Sequence, residues 1–315
     1  MKCLRIILLS WLVALSASAQ PEVSLLPQHH YPKTIPAGDY SGIAWLGGDP
    51  YAVVSDKPDS DGFFLFEIKV DRETGEITGA RNEGFRSSDQ PARDEEGIAY
   101  DSLRQRIWIS GEGDNQIREY TTDGRLTGRV VPQPSVYAHM PGNEGLEALS
   151  FDAVSRTLWT CNETMPVTIT AFDDSLHAVH QYPYTLDEAE GDVSKARNYA
   201  HGIGTLTALP DGTLLILERE FFVPASKLGA WVSCKLYHYT PPAAGAEPSG
   251  RKTQLTSWRT TLSLFGRSLA NYEGMCLGPQ LNDGSRVLLL VADSQHRYGG
   301  VLRDWIRSIK INLNR

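Results

Sequence analysis

One unit is written five times along this chain, and that repetition constrains the fold more than any other feature. Two copies show it best. Glu96-Gly97-Ile98-Ala99-Tyr100-Asp101 passes through a polar turn to Ile107-Trp108-Ile109-Ser110-Gly111-Glu112. Glu147-Ala148-Leu149-Ser150-Phe151-Asp152 leads in the same way to Leu158-Trp159-Thr160-Cys161-Asn162-Glu163. The other copies run from Ser41 to Trp45 and Tyr51 to Asp56, from Thr205 to Leu209 and Leu214 to Glu218, and from Glu273 to Leu277 and Val287 to Asp293. Each is an apolar run, a Gly/Pro/Asn/Asp turn and a second apolar run, which is the signal of a β-hairpin. Starts at 41, 96, 147, 205 and 273 leave room for two further strands per copy. Units of that length predict an all-β propeller of four-stranded blades rather than a sandwich.

Strand counting predicts how the ring closes. After Asp293 only one further strand fits, Trp305 to Leu313, so the last blade is one strand short. Val23-Ser24-Leu25-Leu26 is the spare strand, and pairing the two chain ends would remove an exposed sheet edge. Five blades follow, with six as the alternative if the polar region Asp187–Tyr199 hides a diverged blade.

Residues 1–19 read as a secretory signal peptide. Lys2 and Arg5 precede an apolar core from Ile6 to Leu15, and Ala17-Ser18-Ala19 supplies a small-residue cleavage site before Gln20. The expectation is a single propeller domain over 20–315 in the periplasm or medium, with no membrane span and monomeric. Removing Lys2 and Arg5 takes the formal charge from −8 to −10, which disfavours nucleic acid as a partner. Cys161, Cys234 and Cys276 are odd in number and irregular in spacing, so buried thiols fit better than a disulfide framework.

The hairpins also place the acids. The start of a hairpin's first strand and the end of its second lie at one edge, and in a propeller these edges converge on one mouth of the central channel. Asp56, Glu96, Glu112, Glu147, Glu163, Glu218, Glu273 and Asp293 are therefore expected together. Acids so crowded either share protons or hold a cation, and an oxygen-only set suits a hard ion such as calcium. A carboxylate outside the metal shell would act as general base, with Glu147 and Glu273 as the candidates. The alternative for any one of them is a side chain capping the amides of the next loop. His201 and His296 fall near the mouth, as proton shuttle and substrate contact respectively, or as plain loop residues. Lys57 and Arg219 follow Asp56 and Glu218 directly, and would either contact an anionic substrate or point away into the blade. Trp108 and Trp159 occupy matching positions and read as packing between blades. No Gly-x-Ser-x-Gly elbow, His-Glu-x-x-His pair or phosphate-binding glycine loop is present.

Several segments carry a resemblance. Tyr40-Ser41-Gly42-Ile43, Asp94-Glu95-Glu96-Gly97-Ile98, Asn143-Glu144-Gly145-Leu146-Glu147-Ala148-Leu149 and Asn271-Tyr272-Glu273-Gly274-Met275-Cys276-Leu277-Gly278-Pro279 are similar to the secreted "esterase-like activity of phytase" family, as is Leu289 to Ser294. The resemblance implies a propeller that hydrolyses a small ester or phosphoester. Where this chain has Asn143-Glu144-Gly145, that family often has Asn-Arg-Gly. The architecture also resembles calcium-dependent lactonases of the gluconolactonase type. That likeness implies a metal held by Glu96 or Glu273 together with Asn162, Asn271 and Asp293. A non-catalytic propeller that binds a ligand or another exported protein is the remaining class.

Overall fold

The computed structural model describes residues 21–138, 145–243 and 249–313; the signal-peptide segment, Asn143-Glu144 and part of the Pro241–Gly250 loop lie outside these. After β1 (Glu22–His30), blade one comprises β2 (Tyr40–Trp45), β3 (Pro50–Ser55), β4 (Gly62–Val70) and β5 (Ile77–Ser87). Blade two comprises β6 (Glu95–Asp101), β7 (Arg106–Gly111), β8 (Gln116–Thr121) and β9 (Leu126–Val131). Blade three comprises β10 (Leu146–Asp152), β11 (Thr157–Asn162), β12 (Val167–Phe172) and β13 (Ala178–Tyr184). Blade four comprises β14 (Ala196–Ala208), β15 (Leu214–Pro224), β16 (Trp231–Thr240) and β17 (Arg251–Thr261). β18 (Asn271–Gln280), β19 (Arg286–Asp293) and β20 (Trp305–Asn312) begin the fifth, and β1 completes it as the outermost strand. Val23 faces Ile311 and Leu25 faces Ile309 across that antiparallel pair. The ring is thus a five-bladed propeller closed by both chain ends.

Turn chemistry sets the inner hairpins. Gly212 and Gly284 sit at φ 82° and 85°, a left-handed conformation that costs glycine nothing. The preceding Asp211 and Asp283 accept the amides of Thr213 and Ser285, so each turn is closed from within. The polar region 187–199 adds no blade. It contains one short 3-10 turn, Val193–Lys195, and is pinned to blade four where Glu220 accepts the Glu190 and Gly191 amides. Polar residues there have too little apolar surface for a sheet of their own.

Hydrophobic burial runs along five seams, one per blade interface. Val54, Phe63, Ile98 and Ile109 fill the seam between blades one and two, Trp108 and Leu158 the next, and Trp159 and Ile216 the third. Leu217 and Leu290 lie in the fourth seam, and Val53 and Leu289 in the fifth. Among the described residues, Cys161, Cys234 and Cys276 are buried and free. Among the described residues, no helix is long and apolar enough to cross a membrane.

One irregularity recurs in every blade. The pairing of the innermost strand with its neighbour slips just after Tyr40, Glu95, Leu146, Ile203 and Tyr272. Each slip is a β-bulge, which leaves a residue unpaired and re-aims its side chain. The bulged residues are Ser41, Glu96, Glu147, Gly204 and Glu273.

Deleting residues 20–30 should leave the β20 edge unpaired and expose Ile309 and Ile311. The truncated protein is expected to aggregate, or to unfold at least 10 °C below the parent (about 3 kcal/mol or more at this size), as measured by size-exclusion chromatography and thermal melting.

Candidate functional site

The five bulges stack three tiers of side chains at one mouth. The first tier is the bulged residues themselves. The second lies two positions earlier, at Asp39, Asp94, Gly145, Gly202 and Asn271. The third comes from the second strands, at Asp56, Glu112, Glu163, Arg219 and Asp293. The Asp56 amide donates to the Asp39 carbonyl and the Glu112 amide to that of Asp94, while Arg219 pairs with Gly202 and Asp293 with Asn271. Among the described residues, nine carboxylates therefore share this mouth with the buried guanidinium of Arg219.

Arg219 holds one side of the ring together. Its Nη2 lies 2.8 Å from an oxygen of Glu163 and 2.8 Å from one of Glu273, and its Nη1 donates to Asn271 Oδ1 at 3.0 Å. Asn271 Nδ2 donates in turn to Glu273 Oε1 at 2.8 Å. Burial disfavours the arginine's charge, but Glu273, Glu163, Glu147 and Asp293 outweigh it and raise its pKa. On the opposite side Lys57 Nζ bridges Asp56 at 2.9 Å and Asp94 at 2.8 Å, from a half-exposed position.

The remaining acids have less compensation. No hydrogen bond or ion pair from the described residues reaches the Glu96 or Glu147 carboxylate. Burial raises both well above the usual range; repulsion adds to it, from Glu147, Glu273, Asp56 and Glu112 at Glu96, and from Glu163, Glu273 and Glu112 at Glu147. Asp293 is raised in the same way by burial and by Glu273, against an opposing hydrogen bond from the Gln295 amide. Glu112 rises through burial, offset by the Gly145 amide at 3.0 Å. Glu273 reaches about 7, burial pushing it up and Arg219 holding it down.

Among the described residues, two groups fit a metal ion. Ligand oxygens of Asp39, Asp56 and Asp293 lie within 4.8 Å of one another, and so do those of Asp56, Asp94 and Glu96. Two oxygens on one calcium, each about 2.4 Å from it, can be at most about 4.8 Å apart, so either group fits such an ion. One Asp56 oxygen is buried without a hydrogen-bond partner, as an acceptor awaiting a cation would be. Beside this group, Asp56, Lys57, Arg93, Asp94 and Asp114 line an open recess of about 500 Å³. Below the acids the channel narrows around Gly42, Gly97, Ala148 and Met275 until no water-sized space remains, so the mouth is a dead end.

Some expected residues lie elsewhere. Glu218 points away from the mouth, between blades three and four, where it accepts the Tyr184 hydroxyl at 2.7 Å and pairs with Lys252 at 2.7 Å. The blade-four bulge is Gly204 rather than Thr205, so the hairpin is in register one residue earlier than the repeat suggests. A one-residue shift turns a side chain to the other face, and Arg219 takes the channel position instead. It contacts ring acids, which leaves it neither outward-facing nor free for a substrate. Asn162 is spent on its own loop, donating to the Thr164 and Pro166 carbonyls and accepting the Thr168 amide. His201 shares a shallow recess with Glu220, Ser233 and Lys235, and no hydrogen bond links it to the ring. His296 is exposed at the rim, its Nδ1 2.9 Å from Asp39. Asp39 and Asp94 were not anticipated; reading two residues back from each hairpin start would have found them. Glu95, next to Glu96, points between blades one and two, where burial beside Asp61 lifts its pKa to about 8.

These features define a five-bladed propeller with a closed, carboxylate-lined mouth. Residues 35–296 match the family described as phytase-like, esterase-like activity of phytase, and the chain belongs to that family. No curated protein matches the sequence. Among solved structures, an endo-1,4-beta-xylanase from Bacteroides thetaiotaomicron is 12% identical with a TM-score of 0.49, over 88% of this chain and 90% of that one. The luciferin-regenerating enzyme is 11% identical with a TM-score of 0.45, over 92% and 95%. A streptogramin B lyase is 13% identical with a TM-score of 0.41, over 92% and 98%. Likenesses this loose carry no argument about chemistry.

Two outcomes follow from the electrostatics. Arg219→Met strips the counter-charge from buried Glu163 and Glu273, and should cost about 3–5 kcal/mol in urea unfolding near neutral pH, less at pH 5 where the acids can protonate. In chelator, Glu273 has a folded pKa of about 7 against an ordinary 4.5. The native state then binds a proton that the unfolded chain releases, so stability is greatest below about pH 4.5 and falls as pH rises to 7, by up to about 1.4 kcal/mol per pH unit for each such proton. Glu96 and Glu147 act with the same sign. Calorimetric midpoints in chelator should fall steadily from pH 5 to pH 7.5.

Proposed function

We propose that this protein is an exported hydrolase that cleaves a small ester or phosphoester at its acidic mouth with the help of a bound divalent cation, calcium being the best fit. The observation that carries the reading is the surplus of buried carboxylates: Arg219 answers Glu163 and Glu273, Lys57 answers Asp56 and Asp94, and Glu96 and Glu147 have no paired cation among the described residues. A fold does not maintain such a group without a compensating charge or a chemical use for it.

Asp39, Asp56, Asp293, Asp94 and Glu96 would hold the cation, the first three and last three as alternative or adjoining groups that share Asp56. When bound, such an ion supplies charge stabilisation at an ester or phosphoryl oxygen and lowers the pKa of a coordinated water. Glu273, fixed by Arg219 and Asn271 and poised at about 7, is set to take a proton from an attacking water and return it at neutral pH. Glu147 faces the same space, and burial with the neighbouring acids raises it well above the usual range, which suits donation to a leaving oxygen. Lys57 at the recess offers a positive contact to an anionic substrate. The dead-end channel makes substrate and product use the same opening. A calcium-dependent lactonase is the same reading with a cyclic ester as substrate.

The test is thermal unfolding with calcium against chelator, combined with hydrolysis of a model phosphoester and a model lactone. The wild-type midpoint should rise with the logarithm of calcium concentration, by about 2.7 kcal/mol at a hundredfold excess over Kd. Asp56→Asn should lose that response, whereas Glu147→Gln should keep it and lose at least about a hundredfold in kcat. A wild-type midpoint blind to calcium, with unchanged hydrolysis in Glu147→Gln, would remove the proposal.

A further inference from the structure

The opposite mouth of the propeller has different chemistry. The far ends of the five inner strands enclose a cavity of about 310 Å³, walled by Trp45, Tyr100, Phe151, Met275 and Leu277. The blocked section of the channel separates it from the acids, so the two mouths are independent. One charged group with no opposite partner faces this cavity. Arg286, at the start of β19, has no ion pair with any described acid. Its Nη2 donates to the Gly278 carbonyl at 2.7 Å, its guanidinium lies 5.6 Å from the Trp45 ring centroid, and its Nε is buried with no hydrogen-bond partner. The hydroxyl of the fully buried Tyr51, close enough to influence Arg286 electrostatically, is likewise without a partner. Asp152 is the acid on the cavity wall, and its oxygens are taken by the Val154 and Ser155 amides and the Ser155 hydroxyl.

A half-buried arginine without a carboxylate leaves its charge unanswered, and its buried Nε is a donor without an acceptor. Burial pulls its pKa down, and Cys276 and Tyr51 offset that only in part. Arg219 at the other mouth also has a buried, unpartnered Nε, but both of its terminal nitrogens have acceptors and two carboxylates answer its charge. Arg286 is instead left open toward an apolar, aromatic cavity.

We propose that this second mouth binds a small organic monocarboxylate, its carboxylate on Arg286 and its flat aromatic or short aliphatic body against Trp45 and Phe151. Charge complementarity selects the anion, since arginine presents a fork that matches a carboxylate. The cavity volume is at the small end for ligand pockets, which limits the body to about one ring or a short chain. Aromatic walls favour a flat, apolar body over a sugar or a polyphosphate.

Isothermal titration with benzoate tests this on the full mature chain. One saturable site is expected, with Kd roughly millimolar, the range open to so small a ligand. Benzamide, which has the same shape without the charge, should bind at least tenfold more weakly, and Arg286→Gln should weaken benzoate by a similar factor. Ala153→Phe, on the half-exposed wall and away from Arg286, should fill the cavity and abolish binding with an unchanged melting point; it decides the matter if Arg286→Gln does not fold. Glu147→Gln, at the acidic mouth, should bind benzoate as the wild type does. The proposal is overturned if neither benzoate nor hexanoate saturates, if benzamide binds as well as benzoate, or if Ala153→Phe retains the site.

Discussion

Buried like charge is the constraint that the rest of this structure answers to. Among the described residues, nine carboxylates meet at one mouth, six of them buried and Asp56, Asp94 and Glu163 partly so. Among the described residues, the fold responds with Arg219 inside the ring and Lys57 at its edge. Arg219 stands in blade four where the other blades present Asp56, Glu112, Glu163 and Asp293, so one substitution within the repeat turns a mutually repelling ring into an arrangement with a positive side and a negative side. Glu163, Glu273 and Asn271 take fixed positions around that arginine. Glu96 and Glu147 pair with neither cation, and burial and their acidic neighbours raise both.

The bulges make this possible. A regular strand would direct the residues at these positions alternately into blade seams and into the channel. The slip repeated in every innermost hairpin holds an unpaired residue at the same height in each blade. In three blades that residue is a glutamate; in the others it is Ser41 and Gly204. Glycine at 204 is needed there, because a Cβ would come within 2.8 Å of the Tyr272 carbonyl and 3.2 Å of the Arg219 side chain. The small residue in the first tier thus makes room for the arginine in the third.

The two ends of the channel divide the chemistry. The strand-start mouth is acidic, closed below and flanked by an open recess. The turn-side mouth is apolar, with one unpaired arginine. Long β14 and β15 arms extend past Gly202 and Arg219 to Ala196 and Pro224, about 20 Å at the usual rise per residue, and form a wall on one side of the acidic opening. Glu220 fastens the polar 187–197 segment to that wall.

The propeller, its five blades and the closure by β1 were legible from the sequence, since apolar runs of strand length separated by turn residues report directly on hairpins, and a missing strand in the last repeat implies where it comes from. The meeting of Asp56, Glu96, Glu112, Glu147, Glu163, Glu273 and Asp293 at one edge follows from the same pattern. What the repeat could not convey was register. In blade four the apolar run continues evenly through the bulge, so nothing marks Gly204 rather than Thr205 as the unpaired residue, and that single step exchanges Glu218 for Arg219 in the channel. Asn162 satisfies its own loop, and Asp39 and Asp94 enter from the two residues before each hairpin start, outside the apolar alternation that marks the strands. Hydrophobic alternation is a local property and sets which elements form. The partner of a buried charge is decided only when distant strands are brought to one axis, because its energy depends on distances that the chain order does not contain.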